Sequence, residues 1–111
     1  CPADMEPEFL EAYNAGHKLY SLRASVNAAS SMIYSKEQEL DHAEKRILEA
    51  ELELIGDETT TEERVLLLSE LKDLSERTGK LEEEIRQLIA DKARIEQELQ
   101  YYESTVTAYR Y

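Results

Sequence analysis

The sequence predicts an all-α fold: an antiparallel two-helix coiled-coil hairpin, with helices over about 8–55 and 62–108 and a turn near 56–61. Three observations predict it. Apolar residues recur by sevens in each half of the chain, one register pairs the two repeats when the chain folds back, and helix-stopping residues cluster at the centre in "GDETTTEE". The chain has 111 residues, room for one domain or for a piece of a longer protein.

The first helix is read from Leu19, Val26, Ile33, Leu40, Ile47 and Leu54, the a positions of a heptad repeat. Smaller companions follow three residues later at d: Leu22, Ala29, Lys36, Ala43 and Ala50. In the second half Leu67, Leu74, Leu81, Leu88, Ile95, Tyr102 and Tyr109 step by seven as d residues. Leu71, Thr78, Ile85, Lys92, Leu99 and Val106 lie four further on, at a. Folding back pairs Leu54 with Leu67, Ile47 with Leu74, Leu40 with Leu81, Ile33 with Leu88, Val26 with Ile95 and Leu19 with Tyr102. Every pair of residue numbers adds to 121, and so do Ala50 with Leu71, Ala43 with Thr78, Lys36 with Ile85, Ala29 with Lys92 and Leu22 with Leu99. Neither repeat alone guarantees this agreement, and it centres the turn between Thr60 and Thr61.

The central residues supply the stop and the restart. Gly56 is expected in the left-handed conformation that ends a helix. Thr59 or Thr60 is expected to cap the second helix, with Glu62 or Glu63 completing a capping box. The alanines at d bring the helix axes to the close end of the usual 8–10 Å spacing. They also reduce buried apolar area, so the hairpin alone is expected to be marginal, with oligomerisation as a way to complete it.

Six large aliphatics near the turn lie off the seam: Leu48, Leu52, Ile55, Val65, Leu66 and Leu68. Local packing around a turn does not need that many, so they are read as an interaction tip for another copy or a partner. Phe9, Tyr13, Tyr20, Tyr101, Tyr102, Tyr109 and Tyr111 gather at the open end. Aromatic residues at helical spacing are read there as core, with contact to a preceding domain or a membrane interface as the alternative. Gly16 beside the seam suggests a close backbone approach, and Gly79 a locally weakened helix. The small residues of "SVNAASSMIYS" would let a third helix pack tightly.

Charge narrows the function classes. Net charge is −12, and residues 37–99 carry −11 of it, with twenty acidic and nine basic side chains. Such a chain repels phosphate backbones, so no nucleic-acid partner is expected. His17 and His42 point outward and lie far apart, and no nucleophile stands near a base. No enzyme activity, metal or cofactor is expected. No apolar run of the sequence is long enough to span a bilayer, and no stretch of it reads as a signal peptide; the sequence begins at Cys1. Starting there indicates a processed protein or an excised piece. Cys1 is a candidate for lipidation or for a disulfide with something outside the chain, or is an incidental thiol.

The first 26 residues carry a pattern: Cys1-Pro2, the acidic Glu6 to Phe9, then Gly16-His17-Lys18-Leu19-Tyr20-Ser21-Leu22. In this it resembles the C-terminal part of a Gram-negative envelope lipoprotein family catalogued as a domain of unknown function. Members have a lipidation cysteine, a Gly/Tyr-rich region with further cysteines, this motif, and then a charged coiled coil. The resemblance implies that Cys1 is an internal cysteine, disulfide-bonded upstream in the periplasm, and that the chain is a fragment. It also implies an outer-membrane anchor, placed outside the helices or at Cys1. The expected role is structural, a scaffolding or protein-interaction module meeting copies of itself or another envelope protein. The alternatives are a soluble adaptor or chaperone capturing a client helix, with a cytoplasmic location, and a part of a lysis, phage or secretion apparatus.

Overall fold

In the computed structural model, residues 6–110 are described, with side chains to residue 108. Helix α1 runs Pro7–Ile55 and helix α2 runs Thr61–Arg110, and a five-residue turn separates them. The fold is the expected all-α hairpin. Pro7 opens α1 at the one helical position where a missing N–H costs nothing. The first intrahelical bond runs from the Leu10 N–H to the Glu6 carbonyl, 2.8 Å. At the start of α2 the Thr60 hydroxyl accepts the Glu63 N–H at 3.1 Å, so Thr60, not Thr59, is the cap. Cys1 and Tyr111 lie outside the described residues, as does the Tyr109 side chain.

The chain divides into two units, each holding a stretch of both helices: Ile33–Gln87, and Cys1–Met32 with Leu88–Tyr111. In Ile33–Gln87 the buried residues are Ala43, Ala50, Leu67, Leu81 and Ile85. Ile33, Leu40, Ile47, Leu54, Leu71 and Leu74 are half-buried there. All are seam positions. Arg46 reaches Glu70 at 2.7 Å and Arg77 reaches Glu39 at 3.1 Å across the two helices. Both pairs join g positions, and both have residue numbers adding to 116, as g neighbours must when the seam pairs add to 121.

In the other unit Ala15, Leu19 and Leu22 are buried, and Val26, Leu88, Ile95, Leu99 and Tyr102 are half-buried. Here Arg23 meets Glu103 at 3.6 Å, an e-to-e pair whose numbers add to 126. That sum is five above 121, as e neighbours require when seam pairs add to 121. Ala12 and Ala15 extend the pattern one heptad before Leu19.

Three expectations are corrected. Gly56 has no positive φ. It continues the helical pattern, its N–H donating to the Leu52 carbonyl at 3.2 Å. At Gly16 an added Cβ would meet nothing within 4 Å among the described residues, so no close approach of another part of the chain is seen there. The aromatic residues are mostly not core: Tyr20 is 79% exposed, and Phe9, Tyr13, Tyr34 and Tyr101 are exposed too. Tyr13, Tyr20 and Tyr34 fall at b and Tyr101 at c, where a seven-residue spacing keeps a side chain off the seam. Among the described aromatic residues only Tyr102, at d, is drawn inward.

Candidate interaction surface at the tip

The turn is closed by a side chain from the second helix. Arg64 Nη1 donates to the Leu54 carbonyl oxygen at 2.7 Å, satisfying a carbonyl that the end of α1 leaves without a helical partner. About two turns further along, Arg46 forms a fork on Glu70, with Nε to Oε2 at 2.8 Å and Nη2 to Oε1 at 2.7 Å. Its remaining nitrogen, Nη1, lies 3.3 Å from both Glu49 and Glu53. This fork holds the Glu70 carboxyl below the usual carboxylate range and raises the Arg46 guanidinium above its own. Neither arginine was singled out by the heptad. Arg46 stands at g, and the register itself would have found Glu70; Arg64 caps through a backbone oxygen, which no side-chain pattern signals.

At the middle of the seam Lys36 takes a d position and leaves it by its tip. Its ammonium reaches Glu84 at 2.8 Å and Glu39 at 3.8 Å while the stem remains half-buried. The hydrogen bond to Glu84 raises the lysine and lowers the carboxyl. Thr78, the other polar seam residue of this unit, donates its hydroxyl to the Ser75 carbonyl at 2.9 Å.

With these groups occupied, the six candidate tip residues stay uncovered. Leu48, Leu52, Ile55, Val65, Leu66 and Leu68 are 57–77% exposed, whereas the adjacent seam residues Leu54 and Leu67 are covered. The exposed six are not scattered evenly. The Arg46–Glu70 and Arg77–Glu39 bridges mark the g flank, so the opposite flank carries the e and b positions. Leu48, Ile55 and Val65 are b residues and Leu68 is an e residue, placing four aliphatics on that flank. Leu52, at f, borders them, and Leu66, at c, falls toward the bridged side.

Charge around the patch is mainly acidic, although Lys72 stands at b on the same flank, four residues beyond Leu68. Residues 44–70 hold nine acidic and three basic side chains. The three cations are engaged locally: Lys45 with Asp41 at 3.1 Å, Arg46 with its carboxylates, Arg64 with Leu54. Glu44 and Glu51, at e on the patch flank, and Glu58 in the turn have no ion pair among the described residues. The groove above Ala43, between His42, Arg46, Leu74 and Arg77, instead lies on the bridged flank and is lined by both signs.

Among the described residues no helix is long and apolar enough to cross a membrane. No group of three or more His, Cys, Asp or Glu side chains among them is placed to hold a metal ion. Compared with protein-family models, with curated proteins and with solved structures, the chain has no match.

Proposed function

We propose that this chain is a non-catalytic scaffolding and interaction module of a bacterial envelope lipoprotein, projecting its turn toward a partner. Attachment would come from outside the helices or through Cys1, on the periplasmic side of the outer membrane. One observation carries the reading: a hairpin whose seam is covered leaves six large aliphatics more than half exposed around one turn. The motif of the first 26 residues supports the envelope assignment and the lipoprotein class.

The test is site-specific photo-crosslinking in the native host, in the full-length protein, with the probe at Leu52 or Leu68. Adducts are expected from those positions and not from the equally outward Gln97 and Ala93. With the probe at Leu68, the double variant Leu52→Glu with Leu66→Glu is expected to abolish the adducts while helicity is retained. Equal labelling at all four positions, or an unchanged adduct pattern in the variant, would refute a docking role for the tip. Fractionation decides between the proposal and a soluble adaptor, since a purely cytosolic protein excludes the anchored module.

A further inference from the structure

We infer that the tip accepts a cationic amphipathic helix of another protein, not a second copy of this chain. The inference rests on the tip being a docking surface and adds the chemistry of what docks. The e/b flank presents Leu48, Ile55, Val65 and Leu68 as one apolar patch, the kind of surface that receives the apolar face of a helix. Glu44, Glu51 and Glu58 border it without an ion pair among the described residues; Lys45, Arg46 and Arg64 are engaged elsewhere, and Lys72, at b beyond Leu68, is outnumbered by these carboxylates, so the flank is net acidic. A second copy meeting this flank through a two-fold axis would bring the same carboxylates against themselves. Like charges at a closing interface oppose association, and opposite charges favour it and speed the encounter. An anionic bilayer surface is disfavoured by the same rim. A helix with leucines on one face and lysines or arginines beside them satisfies both features.

The probes are three synthetic helical peptides of equal length: leucine-faced with lysine flanks, leucine-faced with glutamate flanks, and serine-faced with lysine flanks. Binding to the chain is measured by fluorescence anisotropy at low and high salt. The leucine–lysine peptide should bind at least about tenfold more tightly than either other peptide, and its affinity should fall with salt. Leu48→Ser with Leu68→Ser should weaken it by about tenfold or more while circular dichroism stays unchanged. Glu44→Lys with Glu51→Lys keeps every aliphatic and should shift preference to the glutamate-flanked peptide. Equal binding of the two leucine-faced peptides overturns the charge assignment, and equal binding of the serine-faced one overturns the apolar patch. Sedimentation showing a dimer that forms through the tip and excludes the peptide would identify a second copy as the occupant. That result overturns this inference and leaves the docking role standing, whereas crosslinking that finds no tip adduct removes both.

Discussion

Arg64 of α2 hydrogen-bonds the Leu54 carbonyl of α1 at 2.7 Å, so the last turn of one helix is fastened by the first turn of the next. The bond spans ten residues and crosses the turn. Arg64→Ala should leave that carbonyl to water and lower stability by about 1 kcal/mol, read as a shift in the urea midpoint. Arg64→Lys should recover part of the loss. An unchanged midpoint in Arg64→Ala would mean that the turn holds without the clasp.

The two threonines before α2 should respond oppositely. Thr60 accepts the Glu63 N–H, so Thr60→Ala should cost about 1 kcal/mol and Thr60→Asp should be tolerated. The Thr59 hydroxyl oxygen is covered and has no hydrogen-bond partner among the described residues. Thr59→Val should therefore be neutral or stabilising in thermal melts. A loss at position 59 equal to that at position 60 would contradict this division of roles.

Gly56 is the position where sequence and structure part. A glycine before a turn reads as a left-handed helix end, but here φ stays negative, and an added Cβ would come no closer than 3.5 Å to the Glu53 carbonyl oxygen. Gly56→Ala should then stabilise the protein by about 0.4–1 kcal/mol, through the lower entropy of the unfolded chain. Destabilisation would reinstate the left-handed turn.

The pair Lys36–Glu84 gives a pH signature. Its hydrogen bond holds the Glu84 carboxyl below its ordinary 4.5 and the Lys36 ammonium above its ordinary 10.5. A lowered acid contributes stability above its unfolded value and loses it as pH falls through the folded one. A raised base contributes below its unfolded value and loses it as pH rises. Glu84→Gln should thus melt lower than the unaltered protein between pH 4.5 and 10.5, with the gap closing on either side. A gap independent of pH would assign the loss to packing.

The core should be costly to hollow and intolerant of filling. Leu81 is 1% exposed, and Leu81→Ala should cost about 2–5 kcal/mol. Ala50 is fully covered, and Ala50→Leu should cost about 1–3 kcal/mol by forcing the helices apart. Chemical denaturation measures both, and stabilisation by Ala50→Leu would mean that the alanine leaves usable space.

How much of this was legible depended on whether a residue acts through period or through local geometry. Leu67, Leu81 and Ile85 repeat every seven residues or four apart, and that repetition alone foretold which side chains would be covered. The exposed Leu48 and Leu68 were legible as departures from the same repeat. The tyrosines misled because residue type suggested core where heptad position did not: Tyr13 and Tyr20 share a b face and are exposed. The fork of Arg46 on Glu70 follows from the register once g positions are compared. The Arg64 clasp and the negative φ of Gly56 depend on how five turn residues are arranged, and no periodic signal reaches them.

The central claim is that α1 folds back on α2 in the register that pairs Leu54 with Leu67 and leaves Leu48 and Leu68 outside. Spin labels at Lys45→Cys and Glu76→Cys, with Cys1→Ser and dilution in unlabelled protein, test it by electron–electron double resonance. Both sites are exposed f positions whose numbers add to 121, so they should face away from each other across one hairpin. The account predicts a single narrow distance under about 30 Å, from the helix spacing plus two side-chain radii. A distance near the roughly 47 Å of an unbroken helix of that length, or a broad spread, would contradict it.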